Sequence, residues 1–416
     1  MEKTNSTDSR RQKRSSILFT IAIFATLFLY GFYETMKGPA LPRIQADFNI
    51  SELQLGLLLA TNSLGYLIAS SLTASLAKRI SIKACLIAAL IIIAVSGVLI
   101  CFSPSYIILV LSFFVLNLGN GMMEVSQGVI AATTFTKNTG AMMNLAHFFY
   151  GAGSIFSPMV SISLMAARLG EQILNWRYTY LIVLSWALIP AVPAIIGRLG
   201  KRDSEAKKTG FASIMKKPAF WLVVLALALG SVCELGVGAW LVNFLEKAYS
   251  YTNDQAALRL TLFFVCLTLT RLLLGPVIDK IGLINSLAIV MAFAGLMTVA
   301  GVLLGEPGNV LLILAGIGIA PLYPTIMAVV AKLFSKEIDY AMSVMMTVMG
   351  MFMVVANLLL GGIIQLTRRI FTDSHGEAGV GMAYAAGYLF LGICCFGAFI
   401  FAMILRSRQK KAGNLI

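Results

Sequence analysis

The sequence predicts an all-α membrane protein whose twelve transmembrane helices form two pseudo-symmetric six-helix halves. Three observations carry that reading. Of 416 residues, 59% are hydrophobic and only 12% charged, with a mean hydropathy of +0.87; a soluble domain runs to roughly 45–50% apolar and about 25% charged. Apolar windows of about 20 residues, enough for a helix to cross roughly 30 Å of hydrocarbon, recur along the whole chain. A basic stretch from Arg198 to Lys217 divides these windows six and six.

The first-half windows cover residues 17–38, 53–76, 82–102, 106–132, 140–169 and 178–196, and the second-half windows 220–245, 256–277, 284–304, 310–333, 339–366 and 381–405. The predicted organisation is a tail (1–16), a six-helix bundle (17–197), a linker (198–218), a second bundle (219–405) and a closing tail (406–416). Connections this short cannot fold as separate domains, so function must sit inside the bundles. The first window follows Arg10, Arg11, Lys13 and Arg14, as the apolar core of a signal peptide would. It is too long for one, lacks a small-residue cleavage site, and carries Glu34 and Lys37 near its far end, so it reads as a retained span.

With a cytoplasmic N-terminus, most of the 32 basic residues fall in the two tails and the even-numbered connections, including Lys78, Arg79, Lys83, the Arg198 to Lys217 linker, Arg271 and Lys280. That bias predicts a multi-pass protein of the cell membrane with both termini in the cytoplasm. It also assigns the net charge of +14 to contact with anionic lipid headgroups and excludes nucleic acid as a partner. Cys85, Cys101, Cys233, Cys266, Cys394 and Cys395 all lie in apolar windows, where cysteine is a small core residue rather than a disulfide or metal ligand.

Sliding one half over the other brings Glu34 onto Glu234, Glu124 onto Pro324, and the Lys78–Arg79 loop onto Asp279 and Lys280. Internal repeats of this kind build several transporter architectures. After the eighth window the chain reads Gly275-Pro-Val-Ile-Asp279-Lys280-Ile-Gly282, which resembles the G-x-x-x-D-[RK]-x-G signature of the major facilitator superfamily. The matching first-half loop is a degraded copy, with Lys78 where the acid is expected. Asn175-Trp176-Arg177 and Pro321-Leu-Tyr323-Pro324-Thr325 are similar to that superfamily as well. The resemblance implies two six-helix halves that rock against each other and open a central site to each side in turn. A gating set of Gly275, Asp279, Lys280 and Arg79 is then expected: the glycine permits close helix approach, and the acid can pair with a cation or the positive end of a helix. Loop solubility explains the same charges without a gate.

Glu34, Glu124 and Glu234 are the acids that fall well within the windows, and His147 is the histidine there. A charged acidic or basic group costs at least roughly 2.5–3.5 kcal/mol at the bilayer centre, so each is a functional candidate. Burial disfavours the charged form of a carboxyl, and such a group can load and release protons as access alternates. Glu34, Glu124, Glu234 and His147 are therefore the expected proton-coupling residues. Each has a plainer alternative. Lys37 stands three residues after Glu34, where an intrahelical ion pair would satisfy both. Glu124 shares a polar stripe with Asn117, Asn120 and Gln127 at helical spacing, which must face the protein interior. Glu234 has no basic neighbour in sequence, so its partner is tertiary, a ligand or a proton. A lone histidine on an apolar helix is often only structural.

A second resemblance rests on Asn144-Leu-x-His147-x-Phe149-x-Gly151-x-Gly153 in the fifth window and Glu234-x-Gly236-x-Gly238-x-Trp240 in the seventh. Together they look like the fucose/glucose/galactose proton-symporter group and its sodium-glucose relatives. In that group an acid in helix one and another in helix four are tied to proton coupling and sugar binding, and Glu34 and Glu124 occupy comparable places. Sugar hydroxyls need donors and acceptors, for which Asn120, Gln127, Asn144, Asn243 and Asn357 are candidates, and an apolar sugar face can stack on Trp240. Amides also glue helices together, the plainer reading for Asn357. Met342, Met345, Met346, Met349, Met351 and Met353 can offer an adaptable surface to greasy substrates or simply pack.

The expected function is secondary active transport, in its specific form proton-coupled symport of a sugar or similar small polar solute; the alternative is a proton-coupled antiporter that exports drugs or amphipathic metabolites. No G-x-x-x-x-G-K-[ST] loop supplies ATP chemistry, and no H-E-x-x-H or G-x-S-x-G motif supplies a hydrolase, so neither an enzyme nor a cofactor is expected. A membrane potential of 100 mV supplies about 2.3 kcal/mol per charge, roughly fifty-fold accumulation. The expected partners are a small solute, protons or sodium in their place, and the lipid bilayer, with the chain acting as a monomer. A solute sensor on the same scaffold is a further alternative that the residues leave open.

Overall fold

Hydrocarbon offers backbone N–H and C=O groups no partner, so each apolar window has to close its own hydrogen-bond ladder. The computed structural model describes residues 2–135, 139–170, 172–199, 214–334, 338–375 and 378–411. Its first half comprises α1 (Glu2–Thr35), α2 (Lys37–Phe48), α3 (Glu52–Ile80), α4 (Ile82–Cys101), α5 (Tyr106–Thr134), α6 (Thr139–Ala166), α7 (Trp176–Ser185) and α8 (Leu188–Ile196). Two-residue antiparallel strands, β1 (Arg168–Leu169) and β2 (Gln172–Ile173), turn the chain between α6 and α7. The second half comprises α9 (Pro218–Tyr249), α10 (Asn253–Leu273), α11 (Gly275–Ile281), α12 (Leu283–Leu303), α13 (Asn309–Ile319), α14 (Leu322–Leu333), α15 (Ile338–His375) and α16 (Ala378–Lys411). Among the described residues, twelve stretches, from Arg14–Thr35 to Gly379–Lys411, are long and apolar enough to cross a membrane. The chain is an all-α, multi-pass membrane protein.

Side-chain caps start several helices. Asn175 accepts from the backbone N–H groups of Arg177 and Tyr178 at 3.0 and 3.4 Å to open α7, and Thr252 with Gln255 forms a capping box at α10. Prolines interrupt what the sequence reads as single spans. The break at Met36 precedes Pro39, that at Trp186 and Ala187 precedes Pro190, that at Leu274 precedes Pro276, and that at Ala320 precedes Pro324. Each proline lacks the N–H its turn needs and crowds the carbonyl four residues back.

The contacts gather the chain into two compact units, one of Met1–Met36 with Thr61–Ala206 and one of Lys37–Ala60 with Lys207–Ile416. Residues 37–60, which the sequence assigns to the first bundle, thus pack with the second-half helices; Gln45 and Glu52 accept hydrogen bonds there from Asn243 and Arg368.

In the first unit, α1 packs on α6 and α8, and α4 on α5 and α7. The α1–α6 seam brings backbone against backbone at two glycines: a methyl built on Gly31 would overlap the Tyr150 carbonyl, and one on Gly153 would overlap the Phe28 carbonyl. Hydroxyls stitch the same seam. Ser154 donates to the Gly31 carbonyl at 3.3 Å, Thr35 to the Ser154 carbonyl at 3.4 Å, and Ser157 to the Phe32 carbonyl. Small residues and interhelical hydroxyl bonds replace the hydrophobic effect where lipid is as apolar as leucine.

In the second unit, α9 packs against α16, α15, α14 and α2, and α12 against α16 and α13. The core joins Phe220, Leu227, Leu287, Met291, Leu322, Ile326 and Ala398. Met342, Met345, Met346 and Met349 pack into that core, so these methionines fill space rather than form an open adaptable surface.

The seam sets a test. Gly153→Ala overpacks α1 against α6, a type of change that costs about 1–3 kcal/mol, and is expected to lower the thermal midpoint of the purified protein by several degrees. Gly128→Ala, which meets nothing within 4 Å, should leave it unchanged.

Candidate functional site

The polar stripe of α5 organises the first unit. Asn120 is fully buried; it accepts from the Tyr33 hydroxyl at 2.6 Å and donates to Asn117 Oδ1 at 3.2 Å. Asn117 Nδ2 in turn donates to Asn62 Oδ1 at 2.6 Å and to the Phe113 carbonyl at 3.0 Å. This chain spans α1, α5 and α3, and it engages both ends of the Asn120 amide. Asn120, expected to meet substrate, is held between helices by these bonds. Gln127, 5% exposed, leaves its Oε1 without a hydrogen-bond partner.

One turn from Asn120, the half-buried Glu124 accepts from the Tyr66 hydroxyl at 2.8 Å. The charge of Glu34 reaches Glu124, and both reach Tyr30, together with Tyr66 and Tyr150. The Tyr30 ring lies 5.4 Å from Tyr150 and 5.7 Å from Tyr33. Two carboxyls and several phenols therefore share one region of this unit, supplied by α1, α3, α5 and α6. Glu34 is half-buried in the last turn of α1, whereas Lys37 opens α2 beyond the break at Met36, so the two do not share one helix. His147 is exposed on α6, and the side chain of Asn144 lies outside the described residues.

The second unit treats its candidates differently. Glu234, on α9, accepts from Arg271 Nη2 at 2.9 Å, with side-chain exposures of 17% and 21%. Arg271 Nε donates to the Ala320 carbonyl at 2.9 Å, where the α13–α14 break leaves that oxygen free of a regular helix. The sequence assigns Arg271 to a cytoplasmic connection; it lies instead in α10 and is the tertiary partner of Glu234. Trp240, expected to stack on a sugar, is fully buried, 6.5 Å from the Tyr384 ring, and presents no face to a ligand in this conformation. Asn243 is fully buried too and donates to Gln45 Oε1 at 3.1 Å. Asn357 Nδ2 donates to the Met353 carbonyl one turn back at 2.9 Å.

Of the gating candidates, Arg79 closes α3 and Lys280 lies on α11, both exposed. Gly275 and Asp279 belong to α11, but the placement of their side chains lies outside the described residues. The Asn175-Trp176-Arg177 motif has a structural role: Arg177 donates to the Ser103 carbonyl at 2.7 Å and lies 4.5 Å over the Trp176 ring, tying α7 to the chain after α4.

Sequence reasoning missed Tyr30, Tyr33, Tyr66, Tyr150, Asn62 and Arg271. Asn62 and Tyr66, four residues apart in an apolar window, do put two polar groups on one helix face, a signal that could have found them. Arg271 was hidden by the loop motif that follows it.

The model of the Major Facilitator Superfamily matches residues 23–315 and again 239–415. The chain belongs to that superfamily. It is a transporter-family protein, and its relatives are transporters rather than enzymes. The L-fucose-proton symporter of Escherichia coli (strain K12) is 23% identical over 443 residues, covering 97% of this chain and 96% of that protein. Among solved structures, a bacterial homolog of the human lysosomal transporter Spinster, inward-facing and unoccupied, aligns with a TM-score of 0.79 at 15% identity over 94% of this chain and 97% of that one. The nucleoside transporter NupG aligns with a TM-score of 0.68 at 14% identity over 94% of this chain and 98% of that one.

The Glu234–Arg271 pair sets a second test. Removing one partner of a buried pair leaves the other charge uncompensated, at about 3–5 kcal/mol when burial is complete and less at these exposures. Glu234→Gln and Arg271→Gln should each lower the thermal midpoint, and the double variant should lose less than the sum. Additive losses in this double-mutant cycle would mean the two groups do not act as a pair.

Proposed function

We propose that the protein is a proton-coupled symporter that imports a sugar or a similarly small polyhydroxylated solute by alternating access, in the cell membrane, with both termini in the cytoplasm. The observation that carries this reading is the bond from Tyr66 to Glu124 beside Glu34 and Tyr30. Among the described residues, Glu124 has a phenol and no cation for a partner. At membrane depth an ionised carboxyl without a counter-ion is costly, and a proton is the simplest neutralising charge. A group that must bind a proton on one side and release it on the other needs this freedom; Glu234, held by Arg271, lacks it. The proposed proton-coupling residue is therefore Glu124, and Glu34 is proposed to share in it because its charge acts on Glu124.

For the solute, the phenols of Tyr30 and Tyr150 and the open Oε1 of Gln127 supply donors, an acceptor and ring faces, the set that hydroxyl-rich ligands use. The likeness to an L-fucose-proton symporter over nearly the full length of both chains supports a sugar, and the fold shared with a nucleoside transporter is compatible with other polyol-bearing solutes. The bias of basic residues toward the even-numbered connections supports the orientation. Under it, Asp279, Lys280, Gly275 and Arg79 lie on the cytoplasmic side, where their charges are proposed to favour one facing state.

Uptake of radiolabelled sugars and nucleosides into proteoliposomes under an inward proton gradient tests the reading. Accumulation is expected to collapse with a protonophore. Glu124→Gln should reduce driven accumulation at least tenfold yet retain exchange of labelled for unlabelled solute, because exchange moves no net proton. Accumulation insensitive to protonophore, or normal driven uptake by Glu124→Gln, would overturn proton coupling through this carboxyl.

A further inference from the structure

The Glu234–Arg271 pair is placed where a brace alone has no need to be. Glu234 lies midway along α9, and the bond at 2.9 Å brings the Arg271 guanidinium to the same depth. Charged groups at membrane depth turn toward protein or water rather than lipid, and α10 shows which way this one turns. Leu258, Leu262, Leu269 and Leu273, 38–71% exposed, form the outer stripe of that helix. Arg271 stands two residues from both Leu269 and Leu273, so it leaves the helix about 200° round from them. The exposure that Arg271 and Glu234 keep, 21% and 17%, is therefore to an aqueous opening rather than to lipid.

The pair also leaves hydrogen-bonding capacity unused. Arg271 spends Nε on the Ala320 carbonyl and Nη2 on Glu234 Oε1. Among the described residues, Arg271 Nη1 donates to nothing and Glu234 Oε2 accepts from nothing, and neither atom is sealed in by its surroundings. Two bonds fix the guanidinium and one fixes the carboxylate, so an open donor and an open acceptor are held side by side in a rigid frame. A hydroxyl both donates and accepts. Two hydroxyls on adjacent carbons therefore complement this frame, the first donating to Oε2 and the second accepting from Nη1. The frame is neutral as a whole. A neutral diol meets no opposing charge there, whereas a solute carboxylate would face Glu234 and a solute ammonium would face Arg271, both like-charge contacts.

We infer that Glu234 and Arg271 together form a specificity-determining site for two adjacent hydroxyls of an uncharged solute, which they select over its acidic and its cationic counterparts. The inference rests on the polyhydroxylated solute proposed above and narrows it to neutral compounds that carry a vicinal diol. The bond between the two side chains keeps its part in holding α9 to α10; the open Oε2 and Nη1 are what the solute reads.

Equilibrium binding to the purified protein tests the site without flux. The probes are D-galactose, D-glucose and D-mannose, each beside its uronate and its 2-amino sugar, titrated by calorimetry at neutral pH. At least one neutral hexose is expected to bind, about tenfold or more tighter than its own acid and amine. The single variants should then shift selectivity in opposite directions. Arg271→Gln leaves a lone carboxylate and is expected to move the preference toward the amine by roughly fivefold or more, and Glu234→Gln leaves a lone guanidinium and should move it toward the uronate by as much. A pair that only braces helices would weaken neutral, acidic and cationic ligands alike in both variants, and that result overturns the inference. A wild-type preference for a uronate or an amine overturns it too, as does the absence of binding by every sugar in the set. Should one variant fail to fold, the shift in the other decides. Because the titration needs no gradient, its failure leaves proton-coupled uptake standing, and uptake that proves independent of protons leaves the selectivity result intact.

Discussion

Everything in this protein answers to the lack of water in hydrocarbon. A polar group in a span must find its partner within the chain, and the two units do so by different chemistry. The first joins Tyr33, Asn120, Asn117 and Asn62 in a chain of neutral hydrogen bonds across three helices. The second sets a charge against a charge, Arg271 against Glu234, and gives the guanidinium Nε–H to a carbonyl freed at the Pro321 and Pro324 break. In both, the bond that satisfies a side chain also fixes the position of a helix.

The two halves share a helical plan, yet the repeat that overlays Glu34 on Glu234 does not carry the chemistry across. Glu34 sits at a helix end ahead of Pro39, in the company of phenols, while Glu234 sits within an unbroken α9 and meets a guanidinium. The acid of the first half thus shares a region with Glu124 and Tyr30, whereas that of the second half pairs with a permanent cation. In the proposed cycle the Arg271-bound Glu234 holds helices together.

The spans were legible in the sequence because a run of about 20 apolar residues has few other physical meanings. Their interruptions were less so: windows 178–196, 256–277 and 310–333 read straight through prolines that the structure uses as breaks. Glu34 and Glu124 stood out because acids are rare in apolar windows. Tyr66 did not, since a tyrosine in a span is ordinary until its hydroxyl is seen on a carboxylate. For Trp240 and Asn120, composition tells that an aromatic or an amide is present, but only packing tells that the first lies buried with its ring 6.5 Å from that of Tyr384 and that the second is bonded to Tyr33. Gln45 and Glu52 fell in what looked like a plain connection, where hydropathy is silent about tertiary bonds.

The neutral chain in the first unit has a further effect on its neighbours. Asparagine amides neither gain nor lose hydrogen ions over any acidity a living membrane meets, so the frame that spaces α1, α3 and α5 is acid–base inert. Glu124, one turn away on the same helix, can change its ionisation without disturbing the struts that aim it. In the proposed cycle, that inert spacing would let one carboxyl meet an acidic and an alkaline compartment from the same struts.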